Sequence, residues 1–344
     1  MNAVFAALDR RLDPASPSPL VVALSGGGDS MALLLLTLHW ASAHRRPVLA
    51  LTVDHGLNPE SACWTAEAGA AAVRHGAAWQ GLRWEGPKPT TGLPAKARAA
   101  RHALLARAAR AAGAPVILMG HTADDVAEGN LMRAGDAPGL GRVREWAPSP
   151  VWPEGRGVFV LRPLLGVVRS ALRALLVERG QSWIDDPANE DPHYARVRAR
   201  RRLTSDFISE GQIPAVEKVS PVLGAPLANR VEFDEGAAIL PRQWLADSPN
   251  LKPTLSALLL SVSGGSRPPR GAELDRLIAA IGAGRTTTLC GCRVAVSGDQ
   301  IIVARAPARR GFAPAPLEPP HWIAERFAAA CGLYPDEASI PPPS

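Results

Sequence analysis

PLVVALSGGGDS, residues 19–30, is an apolar run that breaks at three consecutive glycines and then continues into MALLLLTLHW, residues 31–40. Three glycines cost backbone entropy and bring no side chain to a core, so core formation does not explain them. A strand, a glycine turn and a helix opening at about Asp29 make up an arrangement suited to a phosphate group. Successive backbone N–H groups curl around an anion, and the helix dipole aims its positive end at the same point. Ser25 and Ser30 add hydroxyl donors, which makes Ser25, Gly26, Gly27, Gly28, Asp29 and Ser30 the candidate phosphate ligands. The spacing is neither that of G-x-x-x-x-G-K-[ST] nor that of G-x-G-x-x-G.

Outward from this loop, short apolar runs alternate with alanine-rich helical stretches, the signature of βαβ units and a parallel sheet. Strands at 21–24, 47–55, 80–86 and 115–121 precede helices at about 29–42, 59–76, 94–113 and 123–134, and each strand ends on a polar residue or glycine. The fold expected is α/β, a doubly wound and mostly parallel sheet that binds its ligand outside the carboxyl ends of the strands. A loop rich in Gly and Pro (135–157), a strand VFVLRPLL and a helix near 166–179 follow. Pro214, Pro221 and Pro226 mark a linker. Beyond it lie helices near 251–262 and 271–283 and a hairpin, TTTLCGCRVAV turning at SGDQ into IIVARA, which predict a smaller helical or α+β region. The domains expected are 1–213, 214–306 and a proline-rich, partly disordered tail, 307–344, with one amphipathic helix.

The chain has 344 residues and a net charge of +6, and arginine carries nearly all of the positive charge because lysine occurs only at 88, 96, 218 and 252. Arginine forks suit phosphates, so either a polyanionic partner or a bias in residue usage accounts for them. The four cysteines lack metal-knuckle spacing; Cys290 and Cys292 read as neighbouring core thiols on one strand, in a reducing compartment. The opening MNAVFAALDRRLDP reads as an amphipathic helix and not as a signal peptide, and MALLLLTLHW is too short to cross a bilayer. A cytoplasmic protein with no membrane partner is expected.

S-G-G-x-D-S behind a first strand resembles the signature of the PP-loop, or N-type ATP pyrophosphatase, superfamily, with its adenine nucleotide alpha hydrolase-like fold. That resemblance implies cleavage of ATP between its α and β phosphates and adenylation of a substrate oxygen. T-V-D-H-G-L (52–57), G-H-T-A-D-D-V-A-E (120–128) and W-I-D-D-P-A-N-E-D-P-H-Y-A-R-V-R-A-R (183–200) are similar, in order and spacing, to the motifs of the tRNA(Ile)-lysidine synthetase family. L-R-P-L-L (161–165) and the Arg-rich helix 96–110 match it as well. The chain departs from the family pattern at Gly129, Asn130, AGDAPG (134–139) and Val197.

The resemblance implies a reaction in which ATP adenylates the C2 oxygen of cytidine 34 in tRNA(Ile) with a CAU anticodon, and free L-lysine then displaces AMP. A free ε-amine has a pKa near 10.4, so the site has to hold an ammonium and take a proton from it. Asp29, Asp54, Asp124, Asp125 and Glu128 supply the carboxylates, and Asp124 and Glu128, four apart, share one helix face. Asp54, Asp124 and Glu128 are the candidates for lysine binding and catalysis, with Arg196 against the leaving pyrophosphate. Asp29 and Asp125 are the candidates for Mg2+, and His55 and His121 for the ATP phosphates. Arg198, Arg200 and Arg201 are the candidates for the RNA backbone, with helix 96–110 a second RNA-facing element. Plainer readings stand beside these: acids in a first helical turn complement the dipole, Asp54 and the histidines finish turns, and the arginines form a solvated face. Two other functions compete, a tRNA thiolase and a non-catalytic nucleotide- or RNA-binding module. The first needs suitably spaced cysteines, and the second has no use for acids at 54, 124 and 128.

Overall fold

The computed structural model describes residues 2–135, 142–185, 195–206, 231–247, 250–265, 268–307 and 318–341. The chain divides into two compact units, Met1–Lys218 with Asp336–Ser344, and Val219–Pro335.

The first unit contains α1 (Asn2–Arg11), β1 (Leu20–Ala23), α2 (Gly28–His44), β2 (Val48–Asp54), α3 (Ser61–Arg74), β3 (Ala78–Arg83), α4 (Leu93–Ala111), β4 (Val116–Leu118), α5 (Ala123–Ala134), β5 (Trp146–Pro148), β6 (Phe159–Leu161), α6 (Arg169–Glu178) and α7 (Ala195–Asp206). Its sheet has the order β3-β2-β1-β4-β6-β5. Every pairing is parallel except that of β5 with β6. The expected doubly wound sheet is present, and β5 is an antiparallel edge strand inside the stretch read from sequence as a Gly/Pro loop. Leu20, Val21 and Val22 are fully buried, as are Val116, Ile117 and Leu118, because helices cover both faces of the two central strands. The leucine run after the glycine loop is helical and buried nearly all round, from Met31 to Leu36. It is too long for a strand, and Asp29 in its first turn suits the dipole.

Sequence order reverses at β1, which has β2 on one side and β4 on the other. That is the switch point of the sheet, where the loops leaving β1 and β4 diverge and open a crevice.

The second unit contains β7 (Glu232–Asp234), β8 (Ala237–Pro241), α8 (Trp244–Asp247), α9 (Leu251–Ser263), α10 (Gly271–Gly282), β9 (Thr287–Leu289), β10 (Cys292–Ser297), β11 (Gln300–Arg305) and α11 (Pro320–Ala330). Its sheet is antiparallel in the order β7-β8-β11-β10-β9 and packs on Leu255, Leu258, Leu259, Ile323 and Phe327. The C-x-C reading needs correction. Cys290 and Gly291 have φ of 50° and 75°, so the pair forms a tight turn between β9 and β10 rather than part of one strand. Of the pair, Cys292 is the buried thiol; its Sγ–H donates to the Leu259 carbonyl at 3.2 Å, and burial pushes its pKa up to about 12.

The stretch from 307, read from sequence as a tail, is shared between the units. Helix α11 buries Ile323 and Phe327 in the second core. Glu337 is buried in the first unit, where it pairs with Arg46.

Candidate active site

The glycine loop leaves β1 at Leu24 and enters α2 at Gly28, with Gly26 at φ +86°, a conformation that disfavours side chains. Ser30 is a strut inside the turn and not a free donor. Its Oγ donates to the Gly27 carbonyl at 2.9 Å and lies 3.1 Å from Ser25 Oγ, while the Ser25 amide donates to it at 3.2 Å. The first amides of α2 have no acceptor within the helix, as at any helix start, so the turn presents N–H groups to an incoming anion.

Gly120, just past β4, brings the second half of the site against this turn. A Cβ there would stand 3.1 Å from the Asp29 carbonyl and 3.2 Å from the Ser30 nitrogen, so the absent side chain permits the approach. Two residues on, Thr122 caps α5 in a reciprocal box with Asp125, whose Oδ2 accepts from the Thr122 amide at 2.7 Å. Asp125 therefore spends one oxygen on the helix cap.

The acids converge on a cation that sequence reasoning did not single out. Arg169 reaches Asp29 at 2.9 Å, Glu128 at 3.4 Å and Asp125 at 3.5 Å, and its backbone amide donates to Asp124 Oδ2 at 2.8 Å. An arginine in the first turn of α6 opposes the helix dipole unless carboxylates face it, and that is the signal in the sequence that could have exposed it. Glu128, buried, also accepts from Arg200 Nε at 2.8 Å, which places one of the expected RNA-binding arginines inside the site. Burial raises the Asp29 pKa and the charges of Asp125 and Asp124 add to the rise, although Arg169 opposes it. The Arg169 guanidinium is desolvated, yet its acidic neighbours hold its proton more firmly than usual. Asp124 is half-buried, and its Oδ1 makes no hydrogen bond among the described residues.

Asp54 is not part of this cluster. Its Oδ1 accepts from the Gly56 amide and from Ser61 Oγ, both at 2.7 Å, an Asx turn that starts the loop into α3. Burial raises its pKa, but those bonds and the charges of Arg83 and His55 outweigh burial and leave it below the usual carboxylate range. It ends β2, two strands away from β4 in the sheet order, roughly 10 Å across.

Basic groups gather at the ends of β2, β4 and β6. Arg162, buried, directs its Nε to His121 Nδ1 at 3.2 Å and donates to the Arg144 carbonyl at 2.8 Å. Burial, then the charge of Arg98, draws its pKa down to about 10, so it stays cationic at neutral pH. His55 stands edge-on to Trp84, and its buried Nδ1 has no hydrogen-bond partner among the described residues. Burial and the charge of Arg101 lower its pKa. Arg198 and Arg201 are exposed on α7, and the Arg196 side chain lies outside the described residues.

His102, on the buried face of α4, is kept neutral by burial and by Arg98, Arg101 and Arg162, which together bring its pKa to about 3. The unfolded chain takes up this proton near 6.5, so below that pH it gains a proton that the folded chain refuses. Stability is then complete above about 6.5 and falls by up to about 1.4 kcal/mol per pH unit as pH drops toward 3. Thermal melts at pH 7.5 and 5.5 should show a smaller loss for His102→Gln than for the wild type; equal losses would assign the acid sensitivity elsewhere.

Asp29 and Asp125 fit a magnesium ion only in part. They already share Arg169, and among the described residues no three acidic, His or Cys side chains form a metal cage. Such a pair suits an ion that arrives with phosphate and water ligands of its own.

A phosphate-binding turn at the switch point of a parallel sheet, faced by acids from the next crossover, defines a PP-loop nucleotide-binding unit, and residues 2–207 match the family described as PP-loop domain. The chain is 49% identical over 341 residues to the tRNA(Ile)-lysidine synthase of Caulobacter vibrioides, covering 97% of this chain and 76% of that protein. It is 34% identical to the synthase of Rhodopseudomonas palustris, covering 90% of this chain and 97% of that one. The chain belongs to the tRNA(Ile)-lysidine synthase family, whose PP-loop unit uses ATP. The sheet also superposes on a U34-tRNA thiolase from Methanococcus maripaludis with a TM-score of 0.50 at 15% identity, over 61% of this chain and 74% of that one, a likeness of fold alone. Among the described residues no helix is long and apolar enough to cross a membrane.

Proposed function

We propose that this protein is a ligase that joins the ε-amine of free L-lysine to C2 of cytidine 34 in tRNA(Ile) with a CAU anticodon. The cytidine C2 oxygen attacks the α-phosphorus of ATP and pyrophosphate leaves; the amine then attacks C2, AMP departs, and a carboxylate takes the amine's surplus proton. The observation that carries this reading is the meeting of four acids at Arg169 beside the phosphate-binding turn, Asp29, Asp125 and Glu128 on its guanidinium and Asp124 on its backbone amide. ATP binding needs donors, whereas carboxylates crowded next to it serve an ammonium.

The amides of Gly27 and Gly28 and the start of α2 hold the phosphates. Asp124, with one oxygen on the α6 amide and the other open, is the group best placed to receive the lysine ammonium. Arg169 and Arg200 hold Glu128 in place through ion pairs. His121 and Arg162 at the strand ends stabilise charge on the displaced pyrophosphate. Asp29 and Asp125 are the residues that would hold Mg2+, which supplies charge neutralisation on the phosphates. Arg198 and Arg201, exposed on α7, face the RNA backbone, and the reaction takes place in the cytoplasm, where tRNA and lysine are found.

The test is incubation with ATP, magnesium, labelled lysine and tRNA(Ile) bearing CAU, followed by location of the label. Label at nucleotide 34, dependent on ATP, is expected. ATP cleavage that needs neither lysine nor this tRNA would overturn the assignment.

A further inference from the structure

The stretch from Gln181 to Asp185 enters none of the steps above, yet it lies across the phosphate-binding turn. The Ile184 amide donates to the Gly26 carbonyl at 3.0 Å. A peptide is planar and trans, so a carbonyl pinned on one side sends the next N–H to the other. The bond from Ile184 thus fixes the direction of the Gly27 N–H, and the bonds from Ser30 Oγ and the Met31 amide to the Gly27 carbonyl do the same for Gly28. Side chains reinforce the backbone. A Cβ on Gly26 would lie 2.5 Å from Ile184 Cδ1, and one on Gly28 would lie 3.6 Å from the Trp183 indole. The stretch is itself anchored: the Gln181 amide donates to the Leu176 carbonyl at 2.8 Å, and Gln181 Oε1 is 2.6 Å from His75 Nε2 just past α3.

We propose that Trp183 and Ile184 form a strap over the phosphate-binding turn and are positioning residues for ATP, because they hold Gly26 and Gly28 in the conformation that aims their neighbouring amides at the phosphates. The proposal rests on the reading of that turn as the ATP site. Neither residue reaches the reacting atoms by any contact described above, so their removal is expected to act on nucleotide affinity.

The test measures ATP binding calorimetrically in magnesium and the steady-state constants of the ligation, using the full chain with Trp183→Ala, Trp183→Phe and Ile184→Pro. Ile184→Pro deletes the donating N–H, and Trp183→Ala removes the packing surface on Gly28. Both are expected to weaken ATP by about tenfold or more while the KM for lysine stays within about twofold, and Trp183→Phe restores most of the affinity. Wild-type ATP affinity in Trp183→Ala and Ile184→Pro overturns the strap. So does a parallel rise in both KM values with no rescue by phenylalanine, which marks a merely structural role. If Ile184→Pro does not fold, the Trp183 pair decides alone. A wild type that binds no ATP would instead sink the nucleotide reading, whatever the variants do.

Discussion

Asp124→Asn is expected to reduce lysine incorporation into tRNA(Ile) by about a hundredfold or more while the melting temperature moves by no more than about 2 °C. The structure separates the two effects. Asp124 Oδ2 caps α6 through the Arg169 amide, and asparagine caps a helix about as well as aspartate, so the fold keeps its bond. What asparagine lacks is the charge that holds an ammonium and the basicity that takes its proton. Full incorporation by this variant removes Asp124 from the chemistry and leaves it a capping residue; a large fall in melting temperature would mean that its charge supports the fold instead.

The second large effect concerns stability, at the opposite end of the sequence. Arg46 and Glu337 are 1% and 3% exposed at the side chain and meet through two bonds, 2.6 and 2.8 Å. Arg46 also donates to the Asp13 and Ser18 carbonyls, and the Asp13 amide donates to Glu337. Removing one partner of a buried pair strands the other charge and costs about 3–5 kcal/mol. Glu337→Gln is thus expected to lower the melting temperature by roughly 10 °C, and a chain ended at Pro335 by a similar amount. The double variant Arg46→Met with Glu337→Leu should recover part of the loss, since an apolar pair needs no partner; the remainder reflects Asp13 and Ser18 carbonyls left without a donor. A melt of Glu337→Gln within about 1 °C of wild type would show that water reaches the pair.

Local patterning accounts for most of the first unit. The alternation of apolar runs and helical stretches places β1 to β4 and α2 to α5 near their observed positions. It missed β5, because three residues that include a proline carry no period to read. In the second unit it missed β7 for the same want of length and missed β8, and it read through the turn at Cys290, where a residue other than glycine adopts positive φ.

The candidate site was legible in its donors and less so in its partners. The phosphate-binding turn, Asp124, Asp125 and Glu128 announce themselves by type and spacing. Arg169 does not, because a lone arginine after a loop looks like any solvated residue until the fold shows which carboxylates surround it. Asp54 is legible as an acid at a strand end, but its bonds to Gly56 and Ser61, those of a turn former, are seen only in the fold.

By itself the amino-acid sequence determined the class of fold, the place of the phosphate-binding turn and the supply of acids, since these rest on contacts between near neighbours along the chain. Only the tertiary structure decided that Arg169 meets those acids, that residues 183 and 184 lie over the glycine turn, and that Glu337 pairs with Arg46. Each of these joins groups far apart in sequence, and no local spacing or propensity encodes a distance that exists only once the chain has closed on itself.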